Sequence, residues 1–281
     1  MVYFPPAKLN LGLHILGKRP DGFHDLESVF LPLRWTDILE VTIDKKVPSG
    51  DALFVSTGLD IPGNAADNLV TQAHRLLTDK HDLPGLTIHL HKILPMGAGL
   101  GGGSADGTYA LRAINDVCKL GLSPQELAHL AGFLGSDCPF FLQDAAALVQ
   151  GRGELITPMD LSSVLDGCHV VVANPSIHIG TAEAFAHVTP QARVTDWQGL
   201  ANTPLTEWHL HLRNDFEAGI RAQHHAVDEL LTLMANAGAD HVQMTGTGST
   251  VFGLFTDQAS ASHAETMCKE ARLGLVWKGQ C

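Results

Sequence analysis

The segment Pro95-Met-Gly-Ala-Gly-Leu-Gly-Gly-Gly-Ser104 holds five glycines within seven residues, followed by a serine that can cap a helix. Glycine lacks a Cβ atom, so its backbone can approach a ligand closely. Alternating apolar residues over 86–93 predict a strand before this segment, and apolar residues at spacings of three and four predict a helix from Ser104. A loop of this kind directs backbone N–H groups and a helix N-terminus at one point, which suits a phosphate chain.

The glycine segment shares features with three other kinds of glycine-rich segment: a Walker loop, a dinucleotide-binding loop and a flexible linker. A Walker loop is excluded because no Lys-Ser or Lys-Thr pair follows the last glycine. The dinucleotide pattern G-x-G-x-x-G matches at Gly97, Gly99 and Gly102, so an NAD-dependent oxidoreductase is an alternative of a different class. However, Pro95 separates the glycines from the strand. A flexible linker is disfavoured by the interleaved apolar residue Leu100.

Strands and helices are mixed along the whole chain. A capping box at Ser123 and Glu126, with proline between them, predicts a helix over 124–134 that ends at Gly135. Further strands are predicted over 7–16, 146–150, 169–173, 241–244 and 251–255, and a further helix over 258–272. Because the elements do not alternate strictly, the fold class is α+β. The turn at 151–153 suggests two domains, 1–152 and 153–281.

The composition excludes several classes of protein. The chain has 281 residues, of which 45% are hydrophobic and 17% charged, and this excludes a largely disordered chain. A net charge of -12, without a basic run, argues against nucleic-acid binding. No apolar stretch approaches the roughly 20 residues of a membrane-spanning helix. The N-terminus lacks the features of a signal peptide, so a cytoplasmic protein is expected.

Cysteine and histidine give no metal pattern. The five cysteines form no CxxC pair, which predicts neither a disulfide framework nor a cysteine zinc site. Among sixteen histidines, His89 and His91 would share one face of a strand, but no HExxH spacing is present. Scattered surface histidine is the simpler interpretation, and no resident metal site is predicted.

Three further features are ambiguous when each is taken alone. Asp137, after a predicted helix end, has the position of a local cap, but a carboxylate flanked by Cys138 and aromatic residues could also be a general base. The turn over 245–249 is a second glycine-rich loop between strands. Lys8 and Asn10 lie on one face of the first strand, which by default is solvated.

Together, four motifs resemble the ordered motifs of the GHMP kinase superfamily. They are Pro-Ala-Lys8-Leu-Asn10, the glycine segment, Gly135-Ser-Asp137 and Thr245-Gly-Thr-Gly-Ser249, and they extend over almost the full chain. The segment Gly17-Lys-Arg-Pro-Asp-Gly-Phe-His24 is similar to the signature of one subfamily, which acts on 4-diphosphocytidyl-2-C-methyl-D-erythritol in the methylerythritol phosphate route to isoprenoid precursors.

The resemblance implies a two-domain ATP-dependent kinase. Its N-terminal domain would be of the ribosomal protein S5 domain 2-like type, its C-terminal domain ferredoxin-like, and its active site would lie in the cleft between them. Asp137 takes the place of the catalytic base and Lys8 that of its partner, while Asn68 and Lys92 match positions that contact adenosine. The ATP phosphates would lie along Pro95, Met96, Gly97, Ala98, Gly99, Leu100, Gly101, Gly102, Gly103, Ser104 and Ala105. Mg²⁺ would arrive with ATP, with Ser104 as the protein group nearest to it.

For the acceptor, the resemblance implies phosphorylation of the 2-hydroxyl of the cytidine diphosphate substrate. The positions that match substrate contacts are Asn10, Phe23, His24, Thr181 and Phe185. Phe23 stands where tyrosine is frequent, and Gly180 where serine or proline is usual, which makes the contribution of Thr181 less secure. A mevalonate or homoserine kinase keeps the fold but needs no cytosine pocket. A nucleotide-sensing protein without turnover is disfavoured because Lys8 and Asp137 are both present. The oligomeric state does not follow from the sequence.

Overall fold

A computed structural model describes all 281 residues as a mixture of strands and helices. The twelve strands are β1 Val2–Tyr3, β2 Pro6–Lys18, β3 His24–Thr36, β4 Ile38–Ile43, β5 Ala52–Gly58, β6 Leu86–Lys92, β7 Ala147–Gly151, β8 Leu155–Pro158, β9 His169–Asn174, β10 His241–Met244, β11 Val251–Phe255 and β12 Leu275–Gln280. The eight α-helices are α1 Leu69–Thr78, α2 Gly102–Cys118, α3 Pro124–Leu134, α4 Ser162–Leu165, α5 Thr181–Ala186, α6 Glu217–Gln223, α7 His225–Asn236 and α8 Gln258–Glu270. Short 3₁₀ helices cover Ala65–Asp67, Cys138–Leu142, Gln198–Asn202 and Leu205–Leu210.

The chain divides into two compact units. The first unit contains Met1–Ala7, Trp35–Met96 and Gly101–Asp144, and the second contains Lys8–Arg34, Gly97–Leu100 and Ala145–Cys281. Each unit is built from segments that are distant in the sequence. No helix in either unit combines the length and the apolar character that crossing a membrane requires.

The first unit packs helices on one sheet. The strand order is β1-β4-β6-β5, in which β6 runs antiparallel to β4 and parallel to β5. Burial alternates strictly along β6, so one face points into the core and the other does not. Inward residues of β4 and β6 pack with α1, α2 and α3 around Leu39, Ile88, Leu77, Leu111 and Leu130. The antiparallel neighbour of β6 excludes the parallel sheet on which a dinucleotide loop depends.

The second unit contains two four-stranded sheets. One has the order β2-β3-β7-β8, and the other, which is antiparallel throughout, has the order β10-β11-β9-β12. Helices α7 and α8 supply Leu230, Met234 and Ala264 to a core that includes Val171 and Phe255. The mixed architecture confirms the predicted α+β class.

Several predicted local signals are confirmed. Ser123 caps α3 and Glu126 closes the capping box, with Pro124 in the first turn and Gly135 as the C-cap residue. Strands β10 and β11 have the predicted bounds, and β2 and β9 extend beyond them. Helix α2 begins at Gly102, two residues before the predicted start, because glycines continue into its first turn.

Candidate active site

Lys8 and Asn10 lie side by side on β2 in the second unit. Only 3% of Lys8 and 2% of Asn10 is exposed, so neither lies on a solvated strand face. The Lys8 ammonium donates a hydrogen bond to Asn10 Oδ1 and lies over the Phe30 ring, 4.3 Å from its centroid. Burying a lysine costs folding free energy, and charged side chains held in buried positions often mark functional sites.

Asn10 is fixed by a second glycine-rich turn. Its backbone N–H donates to Thr245 Oγ1 at 2.9 Å, and its side-chain amide donates to Ser28 Oγ at 3.0 Å. The Thr245 hydroxyl lies 3.2 Å from Asn10 Oδ1 and 3.3 Å from the carbonyl oxygen of Gly99. The turn after β10 therefore holds both Asn10 and part of the glycine loop.

Two glycines allow these loops to meet through their backbones. A Cβ atom on Gly99 would overlap the Thr245 carbonyl oxygen, and one on Gly246 would stand 2.8 Å from the Gly99 Cα atom. Gly97, Gly99 and Gly101 all have positive φ, at 59°, 77° and 70°. Glycine adopts such angles without strain. The three residues therefore allow the backbone of the loop to approach another backbone or a ligand closely.

Helix α2 starts without a side-chain cap. Its N-cap residue is Gly101, which has no side chain to accept the N–H groups of the first turn. A Cβ atom on Gly103 would meet no atom within 4 Å, so space is open beside this turn. Uncapped N–H groups and the positive end of the helix dipole together suit a bound anion, and this agrees with phosphates of ATP.

His178 is a neighbour of the loop that the sequence did not indicate. A Cβ atom on Gly97 would stand 2.8 Å from His178 Nδ1, so only glycine fits there beside the imidazole. His178 lies in an irregular stretch between β9 and α5, where no motif singles it out.

Lys92 ends β6 in the first unit, and its side chain is buried. The ammonium lies 2.5 Å from Asp37 Oδ2 and 2.6 Å from Asp106 Oδ2, and its own exposure is zero.

Asn68 caps α1 by accepting the Val70 N–H at 2.9 Å, which leaves its amide N–H₂ available. Helix α2 packs closely on the start of α1, because a Cβ atom on Gly107 would stand 2.7 Å from Leu69 Cβ.

Asp137 lies between α3 and the 3₁₀ helix Cys138–Leu142, also in the first unit. It occupies the N-cap position of that short helix but makes no side-chain cap hydrogen bond, which disfavours the interpretation as a local cap. The Thr108 hydroxyl donates to the Cys138 carbonyl oxygen at 2.8 Å, and it also contacts the carbonyl of Ser104 at 2.9 Å. Thr108 therefore ties the segment of Asp137 to the first turns of α2.

Cys138, next to Asp137, is an apolar neighbour. Its side chain is fully buried, and burial raises the pKa of the thiol to about 11. The thiol therefore stays protonated and uncharged at neutral pH. In this respect Cys138 resembles the aliphatic residue that is frequent at this position.

Phe23, His24 and Phe185, the aromatic residues expected to contact the pyrimidine, all lie in the second unit. The rings of His24 and Phe185 stack directly, with centroids 4.4 Å apart and planes 21° apart. Phe216 supports Phe185 edge-on at 4.9 Å. Phe23 is exposed, and the guanidinium of Arg152 lies 4.3 Å from its ring centroid. A base that enters between His24 and Phe185 must first separate the two rings.

Thr181 is the exposed first residue of α5, four positions before Phe185. Its N-cap residue, Gly180, provides no side-chain hydrogen bond. Helix α5 therefore carries two of the predicted substrate residues on one short element.

No group of three or more His, Cys, Asp or Glu side chains in the chain is arranged to hold a metal ion. His89 and His91 do share one face of β6, where His89 Nε2 lies 2.8 Å and His91 Nδ1 2.9 Å from Thr57 Oγ1.

The chain is similar over its whole length to known kinases. Sequence models described as the GHMP kinases N terminal domain and GHMP kinases C terminal match residues 68–151 and 200–271. A protein named 4-diphosphocytidyl-2-C-methyl-D-erythritol kinase from Cytophaga hutchinsonii is 38% identical, covering 95% of this chain and 96% of that protein. A protein of the same name from Parabacteroides distasonis is also 38% identical, covering 100% and 99%.

Solved structures share the fold. A crystal structure of 4-(cytidine 5'-diphospho)-2C-methyl-D-erythritol kinase has a TM-score of 0.81 and 29% identity, and covers 99% of this chain and 98% of its own. A homoserine kinase from Cytophaga hutchinsonii has a TM-score of 0.72 at 18% identity, over 99% of this chain and 93% of its own, which shows the fold alone. With matches at both domains and full-length relatives at 38% identity, the chain belongs to the GHMP kinase family.

Proposed function

We propose that this chain is an ATP-dependent kinase that phosphorylates the 2-hydroxyl of 4-diphosphocytidyl-2-C-methyl-D-erythritol and releases ADP. The observation that carries the proposal is the 38% identity, over essentially the whole chain, to relatives named for that kinase. The product would be the 2-phosphate of the substrate, an intermediate of the methylerythritol phosphate route.

Asp137 and Lys8 are assigned to the chemical step. Asp137 would accept the proton of the substrate hydroxyl as the hydroxyl attacks the γ-phosphorus of ATP. The Lys8 ammonium would stabilise negative charge on the transferring phosphoryl group. Its burial supports this role, because a charge acts more strongly where water is excluded.

ATP is the co-substrate of the family, and its phosphates are assigned to residues 95–105. The positive φ angles of Gly97, Gly99 and Gly101 and the uncapped start of α2 support that assignment. Asn68, with its free amide group, is assigned to the adenosine end. The Lys92 ammonium already has two carboxylate partners, so its contribution to the nucleotide site is assigned to positioning.

We infer that Mg²⁺ is carried by ATP rather than held by the protein alone. Mg²⁺ prefers oxygen ligands, and in kinase sites it is bound largely through substrate phosphates and water. Ser104, in the first turn of α2, is the hydroxyl expected nearest to it. When bound, the ion would neutralise charge on the phosphates.

The acceptor end is assigned to the second unit. Asn10 would bind the erythritol part, His24 and Phe185 would enclose the cytosine, and Phe23 and Thr181 would complete the pocket. The position of His24 beside Phe185 in the second unit supports this assignment, because the two rings, once separated, could stack on opposite faces of one base. The functional division into 1–152 and 153–281 is also proposed, and the two family matches, within 68–151 and 200–271, support it.

The proposal is tested by ADP release from Mg-ATP with three acceptors in parallel. Turnover is expected with 4-diphosphocytidyl-2-C-methyl-D-erythritol and not with mevalonate or homoserine. Turnover with mevalonate or homoserine would support kinase activity but would show that the proposed acceptor is wrong. The absence of ADP release with all three acceptors would contradict the proposed acceptor class.

Phe185→Ala is expected to raise KM for the cytidylyl substrate about tenfold, because a stacked base gains roughly 1–3 kcal/mol from an aromatic ring. KM for ATP should not change. Phe133→Ala, which removes a 63% exposed ring from α3, is the matched control and should change neither constant. An equal rise in both KM values for Phe185→Ala would argue against a cytosine pocket at this position.

A further inference from the structure

The glycine loop cannot hold its own shape through side chains. Residues 97–103 contain five glycines, and free glycine backbone loses more conformational entropy on ordering than other residues do. The conformation of such a loop must therefore be set by contacts from outside it. The turn after β10 holds the middle of the loop at Gly99, and other contacts hold the loop where it leaves β6 and where it enters α2. Both of these ends, in the first unit, are joined by one buried set of charges that the proposed chemistry does not use.

Asp37, in the turn between β3 and β4, fixes the end at β6. Its Oδ1 atom accepts the N–H of Ile93 at 2.6 Å and the N–H of Leu94 at 2.8 Å. These two residues follow directly after the last residue of β6. The backbone N–H of Asp37 in turn donates to the carbonyl of Pro5 at 2.9 Å, which anchors the turn itself.

Asp106, in the second turn of α2, fixes the other end. Lys92 Nζ bridges Asp37 Oδ2 at 2.5 Å and Asp106 Oδ2 at 2.6 Å, and the three side chains are 0%, 0% and 4% exposed for Lys92, Asp37 and Asp106. A Cβ atom on Gly102 would stand 3.1 Å from Lys92 Nζ, so the ammonium lies directly against the first residue of the helix. One ammonium group thus links the residues before and after the loop.

This cluster is a poor device for stability alone. In many proteins, replacing a buried ion pair by well-packed apolar side chains of the same volume leaves the free energy of unfolding unchanged or raises it. A buried ion cluster is therefore weak evidence for a purely stabilising role. Two carboxylates share one ammonium, and Asp106 Oδ1 is buried without a hydrogen-bond partner. Burial raises the pKa of Asp106, the Lys92 ammonium opposes this shift, and the neighbouring Asp37 carboxylate adds to it. The cluster does, however, fix the position of the backbone just after β6 relative to the start of α2.

We propose that Asp37, Lys92 and Asp106 are positioning residues that fix the two ends of the glycine loop and thereby set the affinity for ATP. The inference rests on the proposed function only as far as nucleotide binding. It assigns to two aspartates a role in the reaction without any contact to substrate or to ATP.

Asp106→Asn is the conservative test, because asparagine keeps an acceptor for Lys92 but removes the charge. The dissociation constant of a non-hydrolysable Mg-ATP analogue, measured by calorimetry, is expected to rise between about 10-fold and 100-fold, since losing one hydrogen bond from the loop to a charged phosphate costs about that much affinity. KM for ATP should rise with it, while KM for the acceptor stays unchanged.

A charge-free variant separates positioning from stability. Lys92→Met, Asp37→Asn and Asp106→Leu combined remove every charge of the cluster, and the asparagine can still accept the N–H groups of Ile93 and Leu94. Stability, measured as Tm, is expected to stay close to that of the parent chain. Its affinity for the analogue is expected to stay as low as that of Asp106→Asn. A variant with both the Tm and the analogue affinity of the parent chain would overturn the proposal.

Leu86→Ala is the matched control for general destabilisation. Leu86 is fully buried at the opposite end of β6 from Lys92, so its truncation lowers Tm without touching the loop ends. It should leave nucleotide affinity unchanged, and a loss as large as that of Asp106→Asn would contradict the inference. If the parent chain binds the analogue without phosphorylating the cytidylyl substrate, the proposed acceptor is wrong and the positioning test still stands.

Discussion

Asp137→Asn is expected to lower kcat by about 10²-fold to 10⁴-fold, the range in which a positioned general base contributes. Asparagine has nearly the same shape but cannot accept the proton of the attacking hydroxyl. KM for ATP and for the acceptor should change little, because the substitution removes an interaction made in the transition state and keeps the size of the half-buried side chain. Steady-state kinetics with both substrates varied would measure this.

The control for this variant is Asp144→Asn, seven residues further along the chain. The Asp144 side chain is 84% exposed, and its one ion pair, with Arg112, is long at 4.0 Å. It should keep full activity. If Asp137→Asn retained more than about a tenth of the parent kcat, proton transfer to Asp137 could not be an essential part of the mechanism.

The second large effect is expected for Lys8→Met. Methionine keeps a linear stem over the Phe30 ring and removes the charge, so kcat should fall by about 10²-fold to 10³-fold, as for loss of one electrostatic contact to a transition state. Lys8→Arg should not restore the rate fully, because a planar guanidinium cannot replace a compact ammonium in a buried site.

Two measurements accompany the Lys8 variants. The Tm of Lys8→Met should stay within a few degrees of the parent value, which shows that the loss is not unfolding. Lys269→Met, at a 57% exposed position on α8, removes the same charge elsewhere and should leave kcat unchanged. A parent-like kcat for Lys8→Met would remove Lys8 from the chemical step.

The sequence predicted best those elements whose signals are local. The capping box at Ser123 and Glu126 defined α3, and simple alternation found β2 and β6, because both signals depend on neighbours in the chain. It missed β5, whose residues are mostly exposed and which is ordered by pairing with β6, more than thirty residues later. Strand β12 was missed for the same reason, since its partner is β9.

For the candidate site, residue types were predictable but their partners were not. The motifs gave Lys8, Asn10 and Thr245, and the structure joins all three through hydrogen bonds to Asn10. Nothing in the sequence indicated that Asp37 would accept the N–H groups after β6, because it lies 56 residues before Ile93. Partners of this kind arise from tertiary packing, which no local pattern encodes.

The direct stack of His24 on Phe185 is a further result that the sequence could not give. Both rings were expected in one pocket, on opposite faces of a base. In the structure they contact each other across 161 residues of chain. The contact buries a face of each ring, and near-parallel stacking is a favourable geometry for an aromatic pair.

The most direct test of the central claim is ³¹P NMR of the product formed from Mg-ATP and 4-diphosphocytidyl-2-C-methyl-D-erythritol. The expected result is one new phosphomonoester resonance, with the diphosphate resonances of the substrate retained and ATP converted to ADP. A much slower appearance of this resonance with Asp137→Asn would support Asp137 as the general base of the same reaction. ADP accompanied by inorganic phosphate alone, with an unaltered cytidylyl substrate, would contradict the proposed phosphoryl transfer.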